Sequence, residues 1–283
     1  MIPNYRCVNY KELVHMKKKQ SITSVLCILL LSLFVSCGST NSSILSGSHG
    51  LLETIRSRGY IMVGATGDYP PLSYLNPETG RYEGLDADLS ETIAKELGVK
   101  VRYTATTWPT INTDVLDAAR FDIANCGITI TEKRLETLDM SDGYLENGKT
   151  IICRKEDSSR FTSLEALNQE GVRVMVNPGG LNEKFARENL PKATLFIHEH
   201  NEKIPGKIAA GEADLMICET TEAPLYVKSY PVLDAPLIDK PFTHGQIGVL
   251  MRKGNPDLKL FINNVIKRMK EDGRLQQLKK KYL

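Results

Sequence analysis

Short apolar runs alternate with amphipathic stretches along most of this chain, and this alternation constrains the fold more than any other feature. Residues 59–64 predict a buried strand, residues 84–98 have the apolar spacing of a helix that ends at a glycine, and residues 99–104 predict the next strand. The same order of strand and helix returns between residues 172 and 218. Strands that alternate with helices favour an α/β fold in which parallel pairing is common.

The composition is that of an ordinary globular protein. The 283 residues are 41% hydrophobic and 25% charged, which suits one or two domains with a sizeable core. The 36 basic and 34 acidic residues leave a net charge of +2, so we expect no nucleic-acid partner. The lysine run at residues 279–281 is interpreted as the solvated end of a helix.

Residues 1–50 predict a targeting region and a tether rather than a part of the fold. A lysine run at residues 17–19 precedes an apolar run at residues 25–35, which is too short to span a bilayer but suits the core of a secretion signal. This places the expected start of translation at Met16. Residues 41–50 are rich in Ser and Gly and predict a flexible tether.

The apolar run ends in residues 34–38, which resemble a lipoprotein signal with Cys37 as the lipidated residue. Phe34 stands where such signals usually carry Leu, so cleavage without lipidation is the alternative. We therefore expect a periplasmic or cell-envelope protein whose contact with the membrane is a lipid anchor on Cys37.

The cysteines do not predict a disulfide framework. Cys126, Cys153 and Cys218 lie in apolar, strand-like contexts, and we expect them to be small buried residues. No spacing of Cys and His suggests zinc, and we expect neither a metal nor another cofactor.

Residues 121–134 combine several groups that bind anions. A short apolar strand is followed by a turn of small residues, by Thr129, and by a charged helix start that carries Arg134. Helix N-termini and the forked guanidinium both suit a carboxylate. This stretch therefore predicts a site for a small carboxylate ligand.

The pattern Asp-Ile-Ala-x-x-Gly-Ile-Thr-Ile-Thr-x-x-Arg at residues 122–134 resembles the carboxylate-binding segment of type II periplasmic solute-binding proteins of the amino-acid class. The resemblance extends from about Leu51 to the end of the chain. It implies a two-lobed α/β fold of the type II periplasmic-binding-protein kind, with the ligand in the cleft between the lobes. Residues 51–149 and 244–283 would form lobe 1, and residues 150–243 would form lobe 2.

Other stretches are similar to one enzymatic branch of that group, the periplasmic cyclohexadienyl dehydratases, which convert prephenate or arogenate to phenylpyruvate or phenylalanine. These stretches are residues 66–69, 107–109, 144–150, 176–187, 213–216 and 222–223. The Asn-Pro-Gly-Gly sequence at residues 177–180 is the most specific of them. Loss of carbon dioxide with hydroxide makes the ring aromatic, so a general acid is needed but no metal, nucleotide or nucleophile.

The resemblance places the general acid at Glu222. A Glu donates a proton near neutral pH only if burial or a neighbouring carboxylate raises its pKa, and Glu219 could be that neighbour if both face the cleft. The alternative is that Glu222 is an ionised acid at a helix start.

The resemblance also implies how the two carboxylates of the substrate are held. Arg134 would bind the side-chain carboxylate, with Thr129 and the amides of Gly179 and Gly180 as helpers. Lys149, at the hinge of the cleft, would hold the other carboxylate or orient the acid. A tight strand-to-helix turn is the plain alternative for the glycine pair.

Three further residues are candidates for the cleft wall. Asp68 and Tyr69 lie in a loop after a predicted strand, where open α/β sheets place ligands, although Asp68 equally suits a turn cap. Trp108 suits either a cleft wall or a core.

An amino-acid receptor that delivers its ligand to an ABC permease is the alternative function. Glu219 would then bind the ligand's ammonium group. The enzymatic branch carries Asp where this chain has Glu219, which leaves the acceptance of arogenate open. The sequence also leaves a homo-oligomer open.

Overall fold

The computed structural model describes residues 50–117 and 120–283. The predicted targeting region, including Cys37, therefore lies almost entirely outside the described residues. Within the described ranges, no helix is both long enough and apolar enough to cross a bilayer.

The helices and strands alternate as the sequence predicts. The helices are α1 (Leu51–Arg58), α2 (Leu85–Leu97), α3 (Ile111–Asp114), α4 (Glu132–Thr137), α5 (Leu164–Leu167), α6 (Leu181–Asn189), α7 (Ile204–Ala209), α8 (Ala223–Ser229), α9 (Pro256–Glu271) and α10 (Arg274–Tyr282). The strands are β1 (Tyr60–Ala65), β2 (Asp68–Tyr69), β3 (Ser73–Leu75), β4 (Tyr82–Glu83), β5 (Lys100–Ala105), β6 (Ile123–Ala124), β7 (Leu138–Met140), β8 (Leu145–Asn147), β9 (Lys149–Arg154), β10 (Arg173–Val176), β11 (Thr194–Ile197), β12 (Leu215–Glu219), β13 (Leu233–Asp234), β14 (Gly245–Ile247) and β15 (Leu250–Arg252). Short 3-10 helices cover Lys155–Asp157 and Asn201–Lys203.

The first large sheet has the strand order β5-β1-β6-β15-β7. Strand β1 is parallel to both β5 and β6, and β15 is antiparallel to both β6 and β7. Its core includes Ile61 and Val63 of β1, Ile93 of α2 and Ile262 of α9, all without solvent exposure. Because each such side chain contributes roughly 1.5–3 kcal/mol on burial, this core fixes the strand ends that carry the site.

The second large sheet has the order β11-β10-β12-β9-β13. Strand β10 is parallel to β11 and β12, whereas β9 is antiparallel to β12. The register of that antiparallel pair places Lys149 opposite Glu219. The topology therefore brings the predicted site residues Lys149 and Glu219 to the same end of the sheet.

The chain passes between the two sheets at β8 and again at β14. These two strands pair antiparallel, with Gly245 opposite Asn147, so the two passages lie side by side. Immediately beyond them, the backbone N–H of Phe242 donates to the carbonyl oxygen of Lys149 at 2.8 Å. The predicted lobe boundaries at residues 149/150 and 243/244 remain a prediction.

The sequence from Trp108 to about Ala119 predicts a helix, but among the described residues of this stretch only Ile111–Asp114 is helical. Polar side chains bond locally in this region: the Thr113 hydroxyl donates to the Thr110 carbonyl at 2.8 Å, and the Thr110 hydroxyl donates to Asp114 at 2.9 Å. Such bonds compete with a continuing helix. The expectation for the cysteines is confirmed, since Cys126, Cys153 and Cys218 are buried and form no disulfide within residues 50–117 and 120–283.

Candidate functional site

A cavity lies between loops at the ends of strands from both sheets. Its lining residues are Tyr69, Trp108, Gly127, Thr129, Arg134, Lys149, Asn177, Gly180, Leu181, Asn182, Asn201 and Glu219. The predicted residues among them are Tyr69, Trp108, Thr129, Arg134, Lys149, Gly180 and Glu219. The predicted residues Asp68, Gly179 and Glu222 do not line this cavity. Loops at strand ends are the usual place for a ligand in this class of fold.

Arg134 is a buried cation in the cavity wall. It is 8% exposed and belongs to α4, whose N-cap residue Thr131 accepts a hydrogen bond from the Arg134 backbone at 3.3 Å. Its Nε donates to Oδ1 of Asn112 at 3.1 Å, and its Nη1 donates to the carbonyl oxygen of Thr129 at 2.6 Å.

No carboxylate among the described residues lies within ion-pair distance of the Arg134 guanidinium. Burial lowers the pKa of Arg134, because the charged form has lost water. A buried charge without an oppositely charged partner is unfavourable, so this guanidinium is suited to an anionic ligand.

The turn at residues 125–127 is stabilised by the buried carboxyl group of Asp86, a residue that was not predicted to belong to the site. Asp86 accepts hydrogen bonds from the Gly127 backbone N–H and, at 2.7 Å, from the Tyr144 hydroxyl. Burial raises the pKa of Asp86 to about 7. Gly127 has a φ of +81°, and a Cβ atom there would lie 2.2 Å from the Tyr69 ring, so only glycine lets this turn and Tyr69 meet.

Lys149 and Glu219 form a buried ion pair in the cavity wall. The Lys149 Nζ donates to Oε1 of Glu219 and, at 2.6 Å, to Oδ1 of Asn182. The hydroxyl of Tyr69 and, at 2.6 Å, the amide of Asn147 donate to Oε2 of Glu219. Although burial raises the pKa of Glu219, the charge of Lys149 and these hydrogen bonds hold it below its ordinary value, so Glu219 is ionised at neutral pH.

Glu222 is fully buried and lies directly behind Glu219 and Asn201. It occupies the N-cap position of α8, but its side chain makes no capping bond to that helix. Its Oε1 accepts from the Glu219 backbone N–H at 3.0 Å, and its Oε2 accepts from the Tyr226 hydroxyl at 2.7 Å and from Nδ2 of Asn201 at 3.2 Å. Burial, and next the charge of Glu219, raise the pKa of Glu222 to about 8. Two neighbouring carboxyl groups therefore differ in protonation at neutral pH.

Trp108 combines the two environments that the sequence left open. It lines the cavity, and its ring also packs against buried core residues of the first sheet. Its Nε1 donates to both carboxylate oxygens of Asp68, at 3.0 and 3.2 Å, and its ring meets the Tyr69 ring edge to face at 5.8 Å. Asp68 thus orients a wall residue, and burial raises its pKa.

Gly179 and Gly180 have different surroundings. Gly180 lines the cavity, whereas the backbone N–H of Gly179 donates to Glu183 at 2.6 Å and is engaged within its own turn. A Cβ atom on Gly179 would lie 2.4 Å from the Pro109 side chain, so loops that follow the two sheets touch here. Gly179 thus permits a close approach of the two sides.

Five lining residues were not predicted as site residues: Gly127, Asn177, Leu181, Asn182 and Asn201. The first four belong to stretches that carried the family resemblance, which was the available signal. Asn201 follows β11 in a short 3-10 helix and belongs to no motif.

Residues 61–283 match the family model of bacterial extracellular solute-binding proteins, family 3. The chain is 37% identical to the cyclohexadienyl dehydratase of Pseudomonas aeruginosa, over 83% of this chain and 87% of that protein. It is 29% identical to the ABC transporter glutamine-binding protein GlnH of Bacillus subtilis, over 93% of this chain and 95% of that protein.

A crystal structure of the ancestral amino acid-binding protein AncCDT-1, a precursor of cyclohexadienyl dehydratase, has the same fold. The two superpose with a TM-score of 0.76 at 37% identity, over 82% of this chain and 99% of that one. The chain therefore belongs to the bacterial extracellular solute-binding proteins of family 3 and has their two-lobed α/β fold.

Proposed function

We propose that this protein is a cyclohexadienyl dehydratase that converts prephenate to phenylpyruvate, carbon dioxide and water. The observation that carries the proposal is the contrast between Glu219 and Glu222. Glu219 is paired with Lys149, whereas Glu222 is fully buried with no ion-pair partner among the described residues, so burial and the charge of Glu219 raise the pKa of Glu222 to about 8. A binding protein has no need of a protonated carboxyl beside its cavity, whereas a dehydratase requires a proton for hydroxide, a poor leaving group.

The proposed reaction consumes one proton. The bond between the ring and its carboxylate breaks, and its electron pair enters the ring as carbon dioxide departs. The bond from the ring to the hydroxyl oxygen breaks, and the oxygen leaves as water with the proton of Glu222. Glu222 contacts Asn201, which lines the cavity, and we infer that the proton is delivered to the ligand beside that residue.

Arg134 and Lys149 differ in whether their charge is already balanced, and this difference supports the proposal that each binds a different carboxylate of the substrate. Arg134 has no ion-pair partner among the described residues, whereas the charge of Lys149 is balanced by Glu219. We infer that Arg134 binds the side-chain carboxylate, which stays, and that Lys149 contacts the ring carboxylate more weakly. Tight binding of the departing carboxylate would stabilise the ground state and slow the reaction.

The alternative is an amino-acid receptor for an ABC transporter, the function in the name of the Bacillus relative. In that role Glu219 would bind the ligand's ammonium group. Its oxygens already accept hydrogen bonds from Lys149, Tyr69 and Asn147, so an ammonium group would have to compete with Lys149. This arrangement favours a ligand without an ammonium group, prephenate over arogenate.

The family name supports a location outside the cytoplasm. We propose that the protein acts in the periplasm or cell envelope, anchored by a lipid on Cys37. Growth with a radiolabelled fatty acid tests this, because wild-type protein should carry the label and a Cys37→Ser variant should not.

Turnover of prephenate tests the enzymatic function. Purified protein is mixed with prephenate at neutral pH and phenylpyruvate is followed, with Glu222→Gln beside it and the surface exchange Glu212→Gln as a matched control. We expect Glu222→Gln to lower kcat by about 10²–10⁴-fold, the usual contribution of a general acid, and Glu212→Gln to leave it unchanged. Turnover that survives in Glu222→Gln would contradict the assignment of the acid, and no turnover above the spontaneous rate in the wild type would contradict the function.

A further inference from the structure

A buried carboxamide, Asn201, lies in the cavity wall beside Glu222. It is 2% exposed, lines the cavity, and follows the edge strand β11. Its Nδ2 lies 3.2 Å from Oε2 of Glu222, 3.4 Å from the carbonyl oxygen of Asp68 and 3.5 Å from the Tyr226 hydroxyl. One end of this amide therefore contacts the proposed acid directly.

The neighbours of Asn201 fix which end of the amide faces which way. The carbonyl oxygen of Asp68 can only accept a hydrogen bond, so the NH₂ end must face it. A reversed amide would bring two acceptors together and lose the bond. Oδ1 is therefore the end that remains for another partner.

Oδ1 of Asn201 is buried, and no donor among the described residues lies within hydrogen-bond range of it. Buried polar atoms in native proteins almost always have a partner, because leaving one unpaired is unfavourable. An unpaired acceptor on a residue that lines a cavity is suited to a donor on a ligand.

We propose that Asn201 recognises the ring hydroxyl of the substrate through Oδ1 while its Nδ2 holds Glu222 beside the same hydroxyl. This inference rests on the proposed function. At neutral pH prephenate has a single hydrogen-bond donor, its ring hydroxyl, because its carboxylates and its ketone only accept. The hydroxyl donates to Asn201 and keeps its lone pairs free to take the proton of Glu222.

Asn201 gains and loses no proton in this scheme, and it is therefore a positioning residue. The water that forms from the hydroxyl keeps its hydrogen bond to Oδ1 until it leaves. The same amide thus selects ligands that carry the leaving group and aligns that group with the acid.

Binding of two ligands that cannot react tests the role of Oδ1. The ring-saturated form of prephenate cannot become aromatic, and it is compared by calorimetry with the same molecule lacking the ring hydroxyl. We expect wild-type protein to bind the hydroxyl form at least about 10-fold more tightly, as polar sites do when a buried acceptor would otherwise be unpaired. We expect Asn201→Leu to bind both forms equally and to bind the deoxy form about as well as the wild type does.

Asn177→Leu is the matched control, because it removes a second buried amide from the cavity wall and leaves Asn201 and Glu222 in place. It should keep the preference for the hydroxyl form. If thermal unfolding shows that Asn201→Leu does not fold, Asn201→Ala provides the same comparison.

A second readout follows from Nδ2. Its hydrogen bond lowers the pKa of Glu222, so Asn201→Leu should move the alkaline fall of prephenate turnover to higher pH as well as lower kcat. A purely structural role would change neither the ligand preference nor this position on the pH scale.

Equal binding of both analogues by the wild type would overturn the role of Asn201, as would a preference for the hydroxyl form that persists in Asn201→Leu and Asn201→Ala. In either case, turnover of prephenate by the wild type would still support the proposed enzymatic function. If neither analogue binds and prephenate is not turned over, both the inference and the proposed function fail.

Discussion

Replacing Glu222 by Gln should change the pH dependence of stability in a way that is independent of catalysis. The pKa of Glu222 is about 8 in the folded protein against an ordinary value of 4.5. Between these values the folded protein holds a proton that the unfolded chain has lost, so stability falls as pH rises. The stabilising contribution is complete below about pH 4.5 and is lost as pH rises to about 8.

The size of the effect follows from the same two values. A difference of about 3.5 pH units, at about 1.4 kcal/mol for each, corresponds to a loss on the order of 5 kcal/mol. Gln has no proton to lose, so the free energy of unfolding of Glu222→Gln, minus that of the wild type, should increase by about this amount between pH 4.5 and 8.

Denaturant unfolding of both proteins at half-unit steps from pH 4.5 to 9 measures this difference. All other titrating groups are common to the two proteins and cancel to first order. Gln276→Ala is the control, because it exchanges one exposed uncharged residue for another. Its free energy of unfolding should differ from that of the wild type by an amount that does not depend on pH. If the difference between Glu222→Gln and wild type is also independent of pH, Glu222 is not protonated in the folded protein and the proposed acid is wrong.

Three further changes test other parts of the site. Arg134→Met should raise KM for prephenate by about 100-fold while changing the free energy of unfolding by less than about 1 kcal/mol, because a buried charge without an ion pair is removed; a KM equal to that of the wild type would contradict its role. Tyr226→Phe removes a hydrogen bond that lowers the pKa of Glu222, so the alkaline fall of activity should move to higher pH, and a move to lower pH would contradict this. Gly127→Ala should destabilise the protein by about 2 kcal/mol or more and lower activity, because φ is +81° and the new Cβ meets the Tyr69 ring, and unchanged melting and turnover would show that the turn is not constrained in this way.

Local patterns in the sequence were sufficient for most elements of the fold. Helix α2 ends at Gly98, which has the left-handed conformation that glycine favours, and Gly273 separates α9 from α10 in the same conformation. The stretch ending in Arg134 was recognisable because its strand, turn and helix start are contiguous. Such features depend on neighbours in the chain and are therefore readable from it.

The remaining parts of the site depend on which strands pair and on how they are aligned. Lys149 and Glu219 are 70 residues apart, and only the antiparallel register of β9 and β12 makes them an ion pair. The sequence suggested each as a ligand group but not that each neutralises the other.

Asn201 could not have been found from the sequence, because its environment comes from several elements. Its amide is placed by the backbone of Asp68 in the first sheet's loops and by Glu222 and Tyr226 at α8. No local pattern records a contact across 133 residues.

The most direct test of the central claim is the pH dependence of kcat/KM for prephenate between pH 6 and 10, after subtraction of the spontaneous reaction. Prephenate keeps the same charge over this range, and kcat/KM reports the ionisation of the free enzyme. With Glu222 as the acid, kcat/KM should be level at the lower pH values and fall about tenfold per unit above about pH 8. A kcat/KM that rises through pH 8, or turnover no faster than the spontaneous rate at every pH, would contradict a protonated Glu222 as the source of catalysis.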